Sequence, residues 1–509
     1  MSESLAVGGS EPKGPVEKFL GLFAEVRKGE GGVVLLLTLN IFLILTAYYI
    51  IKPVREALIL AAPRGAEFKS YAAAGQAVLL LGAVPLYAWL AGRVPRRRLI
   101  NTVTLFFAGN LVLFYLAVKA VQTGSLVLGL GFYLWVGVFN LMVPAQFWSF
   151  ANDVYTPEQG KRLFAIVAFG ASLGAVMGSK ITNLLIQPLG TDQLLLVSGA
   201  ILVLSLVLSN LVESRSRRSG TAAAATPAPA SGVGTAGSRT GTIDTGPQGA
   251  RPHESGTRGS GTRDARSHDA GTHDAETQDA ETKEAPLSKD GSFGLVLRSR
   301  YLLLIAFLML FLNWVNTTGE FVLGRIVKET IEANATALGL VGDERGAWIG
   351  AHIGAFYADF FFVVNIVGLS VQLFLVSRIL KYLGVRIALL FLPVIALGGY
   401  ALIGFSSLGL ALVRWTKTAE NATDYSLQNT VRQALFLPTT REEKYKAKQA
   451  IDTFFVRAGD VLSALLVYLG LNQLALSTAG FARVNLVLAG IWLLIALAIG
   501  REYRKRSRD

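Results

Sequence analysis

Cysteine is absent from the 509-residue chain, which excludes disulfides, thiolate metal sites and cysteine nucleophiles. Histidine is scarce, and three of the four, His253, His268 and His273, fall in one low-complexity stretch where solvated polar chain, not a metal site, is the expectation. No GxxxxGK loop closed by Ser or Thr and no HExxH occurs; GVGTAG at 232–237 lies in the low-complexity linker and GASLG at 170–174 inside an apolar span, neither in the strand–turn–helix setting those patterns need. Neither ATP hydrolysis nor a familiar hydrolase is supported, so the chain reads as no enzyme, with no cofactor and no metal. The first thirty residues lack a short apolar core with a small-residue cleavage site, so no cleaved signal peptide is expected. Charge is sparse too: 16% of residues are Asp, Glu, Lys or Arg against 52% hydrophobic, and the mean hydropathy is +0.47, which rules out an ordinary soluble enzyme. The net charge of +13 would suggest nucleic acid in a soluble protein. Here much of it lies in loops and the C-terminal tail, where membrane topology accounts for it, and no nucleic-acid partner is expected.

What the chain has in place of these features is long apolar runs. Only helices or closed barrels satisfy backbone hydrogen bonds in lipid, and the runs are too long for barrel strands. The fold class is therefore an all-α membrane protein embedded in a lipid bilayer. Twelve spans are expected near 33–58, 70–91, 99–119, 124–147, 162–187, 193–212, 300–324, 350–377, 384–404, 407–433, 448–471 and 480–500. They divide the chain into a segment 1–32, a six-helix bundle over 33–213, a linker over 214–292, a second six-helix bundle over 293–500, and a basic tail over 501–509. The linker is rich in Ala, Thr, Pro, Gly and Ser and repeats every five residues, with Asp264, Asp269, Asp274, Asp279 and Glu284 each followed by alanine. It buries too little to offset its ordering entropy and is expected to be disordered.

Basic loops alternate with poorer ones. Arg27 and Lys28, Arg96–Arg98, Lys161 and Arg162, Arg378 and Lys381, Lys444–Lys448 and Arg501–Arg508 fall on one side. Arg64, Lys69, Lys119 and Arg483 fall on the other. The positive-inside rule then puts both termini in the cytoplasm and the protein in the cytoplasmic (inner) membrane.

The stretch YYIIKPVREALIL, Tyr48–Leu60, closes an apolar run from Val33 to Ile51 that covers roughly 28 Å as a helix. Lys52, Arg55 and Glu56 share one helical face, three and four residues apart. Charges at membrane depth belong in a bundle interior or a wet cavity. The alternative is a cluster snorkelling at the helix end. In the seventh span Asn313, Asn316, Thr317 and Glu320 form a polar stripe on an otherwise apolar helix, so a carboxylate facing two cations could gate a cavity. The alternative pairs Glu320 with Arg325 at the interface. The tenth span carries Lys417, Asn421, Asp424 and Gln428 on one face, with Glu420 beside them and Arg414 nearby; it either lines a cavity or lies largely outside the membrane. Asp359 in the eighth span is a carboxylate among aromatics, either a proton-coupling site or a residue at the outer surface. Gly170, Gly174 and Gly178, like Gly350 and Gly354, recur at the spacing that lets helices approach closely.

The halves also echo each other. Trp148–Val154 reads like Tyr425–Val431, a proline-containing basic loop follows each (Pro157 with Lys161, Pro438 with Lys444), and the basic turn from Arg93 has its counterpart from Arg378. The three offsets are nearly equal, as in the parallel repeats of major facilitator transporters, whose substrate lies between the halves near the midplane.

Three stretches, IKPVRE in the first span, Phe147–Gly170 and Lys446–Asp460, resemble the ATP/ADP translocase family of plastids and obligate intracellular bacteria. The resemblance covers both halves apart from the linker. It implies a twelve-helix facilitator-like fold and exchange of nucleotides such as ATP and ADP, bound as anionic small molecules. Lys52 and Arg55 match the family's first-helix basic positions, implicated in holding phosphates. Lys161 and Arg162 match its E-A-K-R-F-Y segment, Lys448, Ile451 and Asp452 its K-A-A-I-D segment, and Glu320 its seventh-helix glutamate with a local spacing that differs by one. The chain departs from the pattern at Gln159, where the family has glutamate, and at Asp460, where a lysine usually follows Arg457 in R-x-G-K.

The expectation is a monomeric secondary transporter working by alternating access. Lys52, Arg55, Glu56, Asn316, Glu320, Lys417, Asn421 and Asp424 would form the substrate site, and Asp359, Lys161, Arg162, Lys448, Asp452 and Arg457 would couple or gate. The rivals are a proton-coupled exporter of a lipid or drug-like substrate, using Asp359 or Glu320, and a non-transporting membrane scaffold or sensor docked through the linker.

Overall fold

The computed structural model describes residues 26–27, 30–121, 124–224, 292–406, 409–440 and 442–506. Most of segment 1–32, and the linker beyond Ala224 with its five-residue repeat and three histidines, lie outside the described residues. Those that are described are helical, with no strand among them. In chain order the long helices are α1, Gly31–Leu60, α2, Gly65–Ala91, α3, Arg96–Ala120, and α4, Leu126–Val154. A continuous stretch, Pro157–Ala224, folds into two limbs at Gly190, whose φ of +82° only glycine adopts without strain; its limbs, 157–189 and 191–224, are α5 and α6. The second half follows as α7, Arg300–Ala337, α8, Gly342–Phe374, α9, Gly384–Phe405, α10 over 409–435, α11, Lys448–Asn472, and α12, Thr478–Arg506.

Ten helices among the described residues, with α5 and α6 taken as one, are long and apolar enough to cross a membrane. The chain is a multi-pass membrane protein. The polar α10 is not among the ten, because its polar residues dilute its hydropathy below that of a lipid-facing span. It is also not a plain α-helix: Asp424–Gln428 form a π-turn between Gly409–Thr423 and Asn429–Leu435.

Close approach between helices follows the small residues. A Cβ at Gly170 would come 2.6 Å from Thr38 Cγ2, at Gly174 it would strike the Phe42 carbonyl, and at Gly178 it would come 2.9 Å from Tyr49 Cβ. So α5 lies against α1 along a glycine seam, as the spacing predicts. In α8 only half of the expectation holds. Gly354 faces Ile186 and Ala57, whereas nothing lies within 4 Å of where a Cβ of Gly350 would stand.

α1 contains Pro53, which has no N–H to give the Tyr49 carbonyl one turn earlier. In α5 the Thr182 hydroxyl donates to that carbonyl at 3.4 Å, as well as to Gly178 O within its own helix. A freed carbonyl at this depth is thus satisfied by a neighbouring helix and not by lipid.

The halves touch through α1 with α8, α2 with α7 and α11, and α5 with α8. The Asn365 amide of α8 donates to Ala175 O and Ser179 Oγ of α5, both at 3.3 Å. Lys328 of α7 donates to Ala62 O past the end of α1, and Leu60 lies over Gly324. The last two contacts lie toward the far ends of α1 and α7, away from Gly31 and Arg300.

The two halves also start their helices after α4 and α10 in the same way. Thr156 and Gln159 form a reciprocal cap, Thr156 N–H to Gln159 Oε1 at 3.0 Å and Gln159 N–H to Thr156 Oγ1 at 3.4 Å. Thr440 and Glu443 repeat it at 3.0 and 3.3 Å.

Candidate functional site

Between the halves lies a cavity of about 220 Å³. Lys52 and Arg55 come to it from α1, Lys69 and Gln76 from α2, Tyr133 from α4, and Asn313, Asn316, Thr317 and Glu320 from α7. Phe361 of α8, Asn421 and Tyr425 of α10, and Arg457 and Asp460 of α11 complete the wall. The polar stripe of α7 faces this space because its other faces are buried against α11 and α12.

The charges form a chain of alternating sign. Arg55 bonds Glu56 Oε1, with its Nε at 3.0 Å, and lies 4.5 Å from the Tyr133 ring centroid. Glu56, buried behind the wall, receives Lys69 Nζ at 2.7 Å. Lys69 reaches across the halves to Glu320 at 3.5 Å. Glu320 is 3.7 Å from Lys417 Nζ and accepts from the Asn421 amide at 3.2 Å. Lys417 donates to Glu420 at 2.7 Å and to Asn316 Oδ1 at 2.8 Å, and Tyr400 donates its hydroxyl to Glu420 at 3.1 Å. Apart from this chain, Asp460 accepts from the Asn313 amide at 2.7 Å, from the Thr317 hydroxyl at 2.8 Å and from Arg457 at 3.2 Å.

Lys52 is held differently. Its ammonium lies 3.9 Å from the Phe361 ring centroid, 5.0 Å from that of Tyr49, 5.8 Å from that of Tyr425 and 5.9 Å from that of Tyr48. Rings rather than a carboxylate surround it, and it opens on the cavity.

Of the residues singled out in the sequence, Lys52, Arg55, Asn316, Glu320, Asn421 and Arg457 meet at the cavity, with Glu56 and Lys417 directly behind it. Asp424 does not join them. It faces a separate small void with Leu312, Val315, Leu392 and Trp492, on the flank of α10 that also carries Glu420, while Asn421 and Tyr425 face the cavity. Asp359 is not a lone carboxylate: Arg414 of α10 pairs with it. Arg162 pairs with Glu30 at 2.9 Å, and Lys448 with Asp452 at 2.5 Å along α11. The Lys161 side chain lies outside the described residues. The interfacial alternative for Glu320 also fails, because Arg325 pairs with Glu329 at 2.8 Å.

Lys69 is the main residue that sequence reading misplaces. Assigned to an outer loop one residue before a span starting at 70, it sits instead inside α2, 5% exposed. One further turn of helix would have included it. Tyr133, Phe361 and Tyr425 carry no signal in sequence, as aromatics are abundant in every span.

At the basic ends of the helices lies a second set of contacts. Arg96 pairs with Glu213 and with Asp153 at 3.4 Å, and Arg506 pairs with Glu443 at 3.2 Å. Burial acts against the charged form of Glu30, but bonds from Arg162, the Arg27 N–H and Gln159 outweigh it, so its carboxyl titrates below the ordinary glutamate range.

Two helical halves surround a charged central cavity. Solved structures share this fold. A bacterial homolog of the human lysosomal transporter Spinster, in an inward-facing and unoccupied conformation, matches 93% of this chain and 98% of its own, with a TM-score of 0.52 and 13% identity. The POT family transporter PepTSo matches over 94% and 99% (TM-score 0.55, 11% identity), and a mutant of the nucleoside transporter NupG over 92% and 98% (TM-score 0.55, 10% identity). In sequence, residues 268–503 match the model of the TLC ATP/ADP transporter family, a span that includes the Lys446–Asp460 stretch. ADP,ATP carrier protein 2 of Chlamydia pneumoniae is 31% identical over 108 residues, 20% of this chain and 20% of that protein. The match thus spans about a fifth of the curated relative's length.

Proposed function

We propose that the protein is a secondary active transporter that moves a nucleotide such as ATP or ADP, or a related organic anion, by alternating access. The observation that carries this reading is the central cavity lined from both halves by Lys52, Arg55, Lys69 and Arg457, in a chain whose residues 268–503 match the TLC ATP/ADP transporter model. Cations facing a cavity at membrane depth attract phosphate or carboxylate groups. The closed contacts at Ala62, Leu60 and Gly324 support an arrangement sealed on the side away from the chain termini. In this proposal the termini are cytoplasmic, the membrane is the cytoplasmic one, the protein works as a monomer, and the linker tethers two rocking halves. Lys52, Arg55, Asn316, Glu320 and Asn421 contact substrate, and the Glu56–Lys69–Glu320–Lys417 chain balances the empty site.

The test is uptake of labelled ATP and ADP into intact bacterial cells expressing the protein, beside the Lys52→Ala variant. Saturable uptake, stimulated by nucleotide on the other side and lost in the variant at equal membrane abundance, is expected. Normal uptake by the variant removes the α1 cluster from the pathway. Absence of uptake by well-folded protein removes ATP and ADP as substrates.

A further inference from the structure

The charges of the cavity do not sum to what a polyphosphate needs. Arg55, Lys69 and Lys417 stand against Glu56, Glu320 and Glu420, each carboxylate within ion-pair distance of at least one of these cations. Arg457 is matched by Asp460, its partner at 3.2 Å. Asp424, in the void beside Glu420, interacts electrostatically with Arg432 before Lys417. Among the described residues the remaining charged group on the wall is Lys52, whose surroundings are aromatic and which takes part in none of these pairs.

We infer that the cavity is charge-matched to a substrate bearing one net negative charge, with Lys52 as its counter-ion. The inference rests on the transport reading and narrows its substrate class from polyphosphates to monoanions. Repulsion from Glu320 and Asp460, which both face the cavity, opposes every further negative charge. Rearranging pairs within the chain does not change their sum. A substrate that recruits Arg55 releases Glu56 to Lys69 alone, and one that recruits Lys69 leaves Glu56 to Arg55 and Glu320 to Lys417. Beyond the first charge, each substrate anion therefore displaces a carboxylate from its partner at a depth where unpaired charge is costly. The rings of Tyr49, Phe361 and Tyr425 beside Lys52 add flat apolar contact around the same anion.

The experiment measures ligand-induced thermal stabilisation and competition for uptake with the full-length protein, in EDTA so that no metal offsets phosphate charge. The series is adenosine, the methyl ester of adenosine monophosphate, adenosine monophosphate itself, ADP and ATP. The ester is a fixed monoanion, the monophosphate carries about −1.5 to −2 near neutral pH, and the longer phosphates carry more. Apparent affinity should peak at the ester and fall by about tenfold or more toward ATP, a step of roughly 1.4 kcal/mol per decade. Asp460→Asn removes one negative charge and should move the peak toward the monophosphate and ADP, and Asp460→Lys should move it further. Affinity rising steadily to ATP in the wild type overturns the inference while keeping nucleotide transport, and that arm needs no variant. A peak left unmoved by folded Asp460→Asn protein also overturns it. If no nucleotide acts at all, the nucleotide reading fails. Benzoate against phthalate, a flat monoanion against a flat dianion, then decides the charge inference: preference for benzoate upholds it, and preference for phthalate or indifference to both overturns it.

Discussion

Two lysines at the heart of the molecule are buried by opposite means. Lys417 of α10 is 0% exposed and saturated by polar partners, with Glu420 and Asn316 at hydrogen-bond distance and Glu320 at 3.7 Å. Lys52 of α1 is 8% exposed, and its ammonium meets rings on one side and the cavity on the other. The first is a structural cation whose charge is spent within the protein. The second is kept available. Depth alone does not reveal which role a buried charge has; the identity of its neighbours does.

The largest test of that contrast is Lys417→Met. It leaves Glu420, and in part Glu320, without its cation, and breaking a buried pair in this way costs about 3–5 kcal/mol. A large drop in thermal midpoint in detergent is expected. Lys52→Met, which strands no carboxylate, should leave the midpoint nearly unchanged while abolishing uptake. Equal destabilisation by both variants would erase the distinction.

A smaller effect sharpens the role of α1 as a platform for Lys52. Thr182→Val removes the hydroxyl that bonds the Tyr49 carbonyl freed by Pro53. Interhelical bonds of this kind contribute about 0.6 kcal/mol on average, so a slight loss of stability is expected. A loss several times larger would mean that Thr182 does more than satisfy one carbonyl.

The smallest effect concerns the start of α1. The Glu30 carboxyl is held below its ordinary range by Arg162, Arg27 and Gln159, so its contribution is complete above the unfolded glutamate value and is lost as pH falls through the lowered one. The pair is partly exposed, which limits it to about 0.2–1 kcal/mol. Between pH 6 and pH 3.5, Glu30→Gln should lose slightly less stability than the wild type. A variant that loses more on acidification would reverse the assigned sign.

Much of this arrangement is legible in the chain itself. A cationic pair one turn apart at the end of a membrane-length run, and a four-residue polar stripe on α7, both point to an interior site, and both reach the cavity. The glycine repeat of α5 finds its seam with α1. What escapes sequence reading is what depends on the partner helix. Lys69 enters the site because α2 begins one turn before its apolar run. Asp424 leaves it because the cavity meets the Asn421 and Tyr425 flank of α10, and Asp424 stands one turn from Glu420 on the flank toward Leu312 and Trp492. The cage around Lys52 assembles rings from α1, α8 and α10, far apart in sequence. α10, expected at 407–433, is helical over 409–435, although its polar groups keep its hydropathy below that of a lipid-facing span.

The glycine seam sets what can move. With Thr38, Phe42 and Thr46 pressed on the backbone of Gly170, Gly174 and Gly178, α1 and α5 have no slack between them and travel as a single lever. Lys52 rides on that lever. The boundary between α5 and α8 is held through side chains, by one asparagine amide at 3.3 Å from each of two acceptors and by the end of Ile186 against Gly354, where the α1–α5 seam brings backbone against backbone. In the alternating access proposed above, the stroke that turns Lys52 slides α1 and α5 together along α8 and leaves the α1–α5 seam intact.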